Sequence, residues 1–193
     1  MALPREFVTY LSAEMAVRME KSGKVKLHNK ARVTEKINQV ILDEFAKEER
    51  LNQEVRDYLE KYSEEMRRTA VSYQEMYKLV KKELMKKYQF VPISGRDKDG
   101  GKISRDKVIE LSHILLKNLA NMTLQIEMLE EKNEVRLEIV RQIQELLKAE
   151  DQVDKSARQK ILSQKRDILE GSAEWDILFR KYYSEEMRKH GVV

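Results

Sequence analysis

A chain of 193 residues that is 41% hydrophobic can build one domain or two small ones, and its 6 Gly, 2 Pro and many straight-chain residues point to helices. With 38 Lys and Arg against 34 Asp and Glu, the net charge of +4 is weak ground for polyanion binding, and the absence of cysteine excludes disulfides, thiolate chemistry and Cys-ligated zinc. The start, MALPREFVTY, has no basic run leading into an apolar core, and no apolar run nears the roughly 20 residues of a bilayer span, so a cytoplasmic protein off the membrane is expected.

In chain order, Val8, Leu11, Met15 and Met19 recur at three- and four-residue steps and predict a helix with one buried face. After Gly23, Val25-Lys26-Leu27 alternates as a brief extended strand does. Val33, Ile37, Val40, Ile41 and Phe45 open a further helix. The polar stretch KEERLN then precedes Leu51, Val55, Leu59 and Tyr62 in a shifted phase, so a bend or a fresh helix start is expected there, with Asn52 as cap. A last helix opens at Ser72, which has capping-box spacing to Glu75, and carries Tyr73, Met76, Tyr77, Val80, Leu84 and Tyr88 as its inner face.

Gly and Pro cluster in FVPISGRDKDGG, which reads as a linker over residues 92–102. Beyond it the pattern returns. Arg5, Val8, Leu11 and Ser12 match Arg105, Val108, Leu111 and Ser112 at an offset of 100, and Val33, Ile37 and Ile41 match Val135, Ile139 and Ile143 at 102. At the same 102, Tyr73, Met76, Tyr77 and Lys78 fall on Trp175, Leu178, Phe179 and Arg180. Apolar falls on apolar through three segments, so the expected fold is all-α, with two tandem three-helix units over residues 1–91 and 103–193 and a very short β-ribbon between them. In the second unit Leu124-Gln125-Ile126 would be the extended piece. No Gly or Pro separates Lys102 from Glu170, so whether its first two helices are continuous is left open. KAEDQVD repeats the expected bend, with Asp154 as cap, and Ser172 caps the last helix.

That last helix, EWDILFRKYYSEEMRK, holds the lone tryptophan. Trp175, Leu178, Phe179, Tyr182 and Met187 share a broad face expected to be core, while Tyr183 falls off the stripe and is the better candidate for a partner contact. Trp175, Arg180, Lys181, Tyr182 and Tyr183 are the candidate interaction residues. The stretch from Gly171 to Gly191 resembles the C-terminal signature of a bacterial family catalogued only as a domain of unknown function, number 507. Gly171, Ser172, Glu174, Trp175, Asp176, Leu178, Lys181, Tyr182 and Tyr183 fit that signature, and SRDKVIELSHILLKNL is similar to a segment with which the family begins. The resemblance covers roughly residues 102 to 191. It implies a small, mostly helical intracellular unit and brings no activity, cofactor or catalytic residue.

Chemistry finds little footing. His28, His113 and His190 are isolated from ligand-spaced partners, and no nucleophile elbow, Walker loop or dinucleotide pattern occurs. DKDGGKIS, residues 97–104, is like the start of a calcium loop lacking one position, and without that carboxylate it reads as an Asp-Gly turn before a Ser104 cap. No enzyme activity, metal or cofactor is expected. The expected function is a protein–protein interaction or scaffolding module, through another protein or by self-association. The alternative is nucleic-acid or ribosome association through Lys24, Lys26, Lys30, Arg32, Lys81, Lys82, Lys86 and Lys87. These lie in the first half, where residues 1–100 hold 21 basic against 17 acidic side chains.

Overall fold

The computed structural model describes residues 3–69, 71–93, 102–164, 166 and 168–189. Among them the chain forms α1 (Arg5–Lys21), β1 (Val25–Leu27), α2 (Lys30–Lys61), α3 (Ser63–Thr69) and α4 (Tyr73–Lys87) in its first half. Its second half forms α5 (Arg105–Ala120), β2 (Ile126–Met128), α6 (Lys132–Leu162) and α7 (Ala173–Lys189). The protein is predominantly α-helical, with one tiny ribbon. The order helix, strand, long helix, closing helix runs twice, interrupted only by the short α3, which the sequence pattern does not announce.

The helix ends obey local chemistry. Asn29, Ser104 and Ser172 each place a side-chain oxygen 3.1, 3.2 and 3.1 Å from the amide three residues on, satisfying an N-terminal N–H that the helix leaves orphaned. Ser72 sits at the start of α4 as expected, but its side chain makes no capping bond. Gly23 ends α1 at φ +72 with its amide 3.1 Å from the Glu20 carbonyl. At the end of α4 a similar closure puts Gln89 at φ +50, and the Phe90 amide donates to the Met85 carbonyl at 2.8 Å. A side chain there works against the steric preference that makes glycine usual.

The two strands pair with each other, antiparallel, Val25 opposite Met128 and Leu27 opposite Ile126, with Lys26 facing Glu127 at the centre. Opposite charges directly across a ladder favour that register. β2 begins at Ile126, two residues later than the pattern suggests, because residues 123–125 are spent on a turn. This turn separates α5 from α6 and answers the question of continuity: they are distinct helices.

The expected bends in the long helices are not helix breaks. α2 is continuous from Lys30 to Lys61 and α6 from Lys132 to Leu162. The phase shift vanishes once the buried acids are counted. Ile37, Ile41, Glu44, Glu48, Leu51 and Val55 form one unbroken seam of four- and three-residue steps, and so do Ile139, Ile143, Leu146, Glu150, Val153 and Ala157. That is the roughly 3.5-residue repeat of long packed helices, with carboxylates occupying apolar positions. Asn52 and Asp154 therefore cap nothing. Asn52 accepts from the Tyr77 hydroxyl at 3.2 Å, and Asp154 is held by Lys102 and Arg158.

α1 packs on α2 and also on α6, while α5 packs on α6 and also on α2, so each half leans on the long helix of the other. A single apolar cluster results, joining Phe7, Met15, Val33 and Ile37 to Leu111, Leu115, Ile139 and Ile143. α4 closes against α2, and α7 against α6. Where the linker is expected, residues 94–101 lie outside the described ones, including most of the calcium-like stretch. Its flanks are tied, since the Ser104 amide donates to the Ile93 carbonyl at 3.2 Å and the Ser104 hydroxyl to that of Pro92, also at 3.2 Å.

Candidate functional site

The buried face of α7 is a single row at four-residue spacing: Trp175, Phe179, Tyr183 and Met187, with Glu186 beside it. Trp175 is 4% exposed and Tyr183 only 2%. Trp175 is thus core, as its face implies, although it also stood among the candidate interaction residues; Tyr183, expected off the stripe as a partner contact, is buried as well. The helix turns its face about one residue further round than the apolar pattern suggests, so Leu178 and Tyr182 fall at the edge and Tyr183 inside. Phe179 and Tyr183 stack at 5.6 Å between centroids, and the Arg158 guanidinium lies 5.3 Å from the Phe179 ring. Of the five candidate interaction residues only Arg180 and Lys181 are fully exposed.

Behind this row lies a buried polar network. The Tyr183 hydroxyl donates to Glu150 at 3.0 Å, and Lys102 bridges Glu150 and Asp154. Arg158 bonds Asp154 at 2.7 Å and reaches on to Glu170. Burial pushes the Glu150 carboxyl above the usual range despite Lys102, and burial together with the Glu150 charge drives the Tyr183 phenol well up. At Asp154 burial works upward too, but the bonds from Lys102 and Arg158 outweigh it and hold the carboxyl below its usual value. Near the exposed end of the helix, hydrogen bonds from Lys160 and Lys189 bring Glu186 down to about 2.

A second buried network joins α2 of the first half to α5 of the second. Lys107 is wholly buried, with Glu44 at 3.0 Å, Glu110 at 2.7 Å and the Phe90 ring 5.0 Å away. Glu48 accepts the Ile93 amide at 2.7 Å and pairs with Lys81 at 3.4 Å. Desolvation raises the Glu44 carboxyl, yet its bonds to Lys47 and Lys107 leave it below the ordinary range. These acids and Lys107 are absent from the sequence-based candidates. The signal that finds them is position: each falls in the seam of a helix otherwise filled by Ile, Leu and Val.

α4 behaves differently from α7. The expected inner face, Tyr73 to Tyr88, buries nothing completely. Met76, Tyr77, Val80 and Leu84 are half-buried on α2, while Tyr73 is 51%, Leu79 58% and Tyr88 49% exposed. Tyr58, Tyr62 and Val71 add exposed apolar area at the end of α2 and after α3, and Met66, Val71 and Tyr73 line a shallow hollow there. Along the outward side of α4, Lys78, Lys82 and Lys86 follow one another at four-residue steps, all exposed and without an ion pair among the described residues.

The eight basic candidates do not form one patch. Arg32 and the Lys81 contact at Glu48 lie 16 residues apart on α2, about 24 Å along its axis. Lys24, Arg32 and Lys81 are engaged with Glu134, Glu35 and Glu48. His28 lies 3.4 Å from Glu127, and His190 is outside the described residues. Among the described residues no group of three His, Asp or Glu is arranged to hold a metal ion, and no helix is long and apolar enough to cross a membrane.

Fold and surface together define a class: a helical protein with one packed core shared by its two halves and one closing helix left half-covered. The family described as "Protein of unknown function (DUF507)" matches residues 1–192, and the chain belongs to it. The match runs through both halves, so the family unit is the whole length and not the C-terminal half that carries the signature. Among curated proteins nothing matches the chain.

Proposed function

We propose that this protein is a cytoplasmic, non-catalytic interaction module, a helical unit in two tandem copies, of which the first copy's α4 docks a partner protein. One observation carries the reading: α4 leaves Tyr73, Leu79 and Tyr88 exposed beside Tyr58 and Tyr62, whereas α7, at the corresponding place, is sealed into the core. Large apolar side chains left exposed in this density are what an interaction surface offers a partner. The unpaired row Lys78, Lys82 and Lys86 selects the occupant, an apolar strip flanked by carboxylates on another protein. The element order, the seams and the cross-packing of the two halves support duplication; the absence of cysteine supports a reducing compartment.

The test is capture from native cells followed by carbodiimide cross-linking, which joins lysine to carboxylate without a spacer. Cross-links from Lys78, Lys82 or Lys86 to acids of the captured protein, lost in Leu79→Asp and kept in Ile177→Asp, support the reading. A sedimentation mass above 22.9 kDa for the isolated chain would make the occupant a second copy instead. Capture that disappears with nuclease and falls steeply with salt would transfer the surface to nucleic acid.

A further inference from the structure

Away from α4, a groove of about 160 Å3 opens between α1, α6 and α7. Its walls are the rings of Phe7 and Tyr10 with Val153 and Met187, its rim holds Arg18 and Ala149, and Glu150 forms its floor. Glu150 is 1% exposed, and only one of its oxygens is engaged: Oε1 takes both Lys102 and the Tyr183 hydroxyl. Oε2 is buried with no hydrogen-bond partner among the described residues. A buried acceptor left unpaired costs about 1–3 kcal/mol, more when charged, so a polar floor beneath apolar walls is poor packing but a serviceable receptor.

The surroundings select the sign of the ligand. Arg18 at the rim is matched by Glu14 at 3.7 Å and by Glu145 at 3.4 Å, the latter shared with Arg141, so the cation of the rim is neutralised and does not repel another. Phe7 and Tyr10, 6.1 Å apart between centroids, offer ring faces that attract cations. A cavity of about 150 Å3 accepts a single benzene ring, which sets the size of the apolar body. Met187 is the wall that can yield, having three rotatable side-chain bonds.

We propose that this groove binds a small ammonium-bearing molecule, its cation on Glu150 Oε2 and its ring-sized apolar body between Phe7, Val153 and Met187. Free, Glu150 holds its proton to a higher pH than an ordinary glutamate, because it is buried. The groups facing it are Lys102, Asp154 and Tyr183, with Tyr10 and Arg18 across the groove. A cation needs the carboxylate, so binding strengthens as pH rises through this ionisation and expels the proton.

The probe is benzylamine, with benzyl alcohol as its neutral counterpart, titrated into the full chain while the Met187 methyl resonance is followed. Benzylamine should saturate at about 1 mM or tighter, the range for a molecule of its size. It should bind about tenfold more tightly than benzyl alcohol and gain affinity as pH rises above the ordinary glutamate range, while the amine stays protonated. Glu150→Gln should remove both the preference and the pH dependence. Ala149→Phe, a change at an exposed rim position that leaves the Glu150 bonds intact, should block both probes. Absence of saturation, equal affinity for the alcohol, or binding unchanged in Ala149→Phe would overturn the proposal.

Discussion

The two closing helices, α7 and α4, start from matching patterns and end differently. At an offset of 102, Trp175 stands where Tyr73 is and Phe179 where Tyr77 is, yet the first pair is buried and the second is half or fully exposed. The difference lies beneath them. α7 rests on α6, with Glu150 bonded to its Tyr183 and Arg158 over its Phe179, and α1 supports the same region through Phe7 and Tyr10. α4 rests on α2 alone among the helices it packs against closely. A helix face becomes core only when something covers both of its flanks.

This contrast is also chemical. Phe7 on α1 corresponds to Lys107 on α5, and Leu146 on α6 to Glu44 on α2. The α1–α6 contact thus carries an aromatic and an aliphatic side chain where the α2–α5 contact carries a buried ion pair, at equivalent places. Buried ion pairs stabilise no more than well-packed apolar pairs of the same volume and often less, but removing one partner is expensive when the other charge stays behind unpaired.

The largest effect should separate the closing helices. Trp175→Ala should lower stability by about 3–5 kcal/mol in denaturant unfolding, whereas Tyr73→Ala should change it by no more than about 0.5 kcal/mol. Equal losses would mean that α4 is as firmly seated as α7. Hydrogen exchange should likewise reach the α4 amides first.

A second comparison concerns the cross-packing. Glu44→Leu alone should cost up to about 3 kcal/mol by leaving the buried Lys107 only Glu110 as a partner, and adding Lys107→Met should recover most of it. Additive losses in the double variant would show that the pair specifies the packing and is not merely tolerated.

pH offers a smaller, signed test. Glu150 ionises near 4.5 in the unfolded chain and higher in the fold, so the native state loses stability as pH rises above about 4.5, by at most about 1.4 kcal/mol per unit. The Glu150→Gln variant should escape that loss and gain on the parent protein with rising pH. Glu186 works in the opposite sense: its carboxyl is depressed to about 2, so its contribution is present above about 4.5 and disappears as pH falls toward 2. Glu186→Gln should therefore approach the parent protein at low pH. Matching slopes for the two variants would contradict the environments described for them.

The smallest effect lies at the helix starts. Ser172→Ala should cost about 1 kcal/mol, since its oxygen holds the Trp175 amide, and Ser72→Ala close to nothing, since its side chain holds none.

Much of this was legible in the chain. The helix stripes from Val8 to Met19 and from Val33 to Ile41, the Ser104 and Ser172 caps and the short extended piece Val25–Leu27 all follow from spacing and residue type, because those are local properties of the backbone and its nearest side chains. Burial of Tyr183, Lys107, Glu44 and Glu150 was not legible in the same way. Periodicity tells which side chains share a helix face, and composition argues that a charged one faces water. Only the assembled helices supply Lys102 and Tyr183 for Glu150, Glu44 for Lys107, and nothing to cover Tyr73 and Leu79. The sequence by itself determined where helices begin and which residues line up along them. The tertiary structure decided which of those lines met a partner, since burial depends on what lies opposite, and residues far apart in the chain provide it.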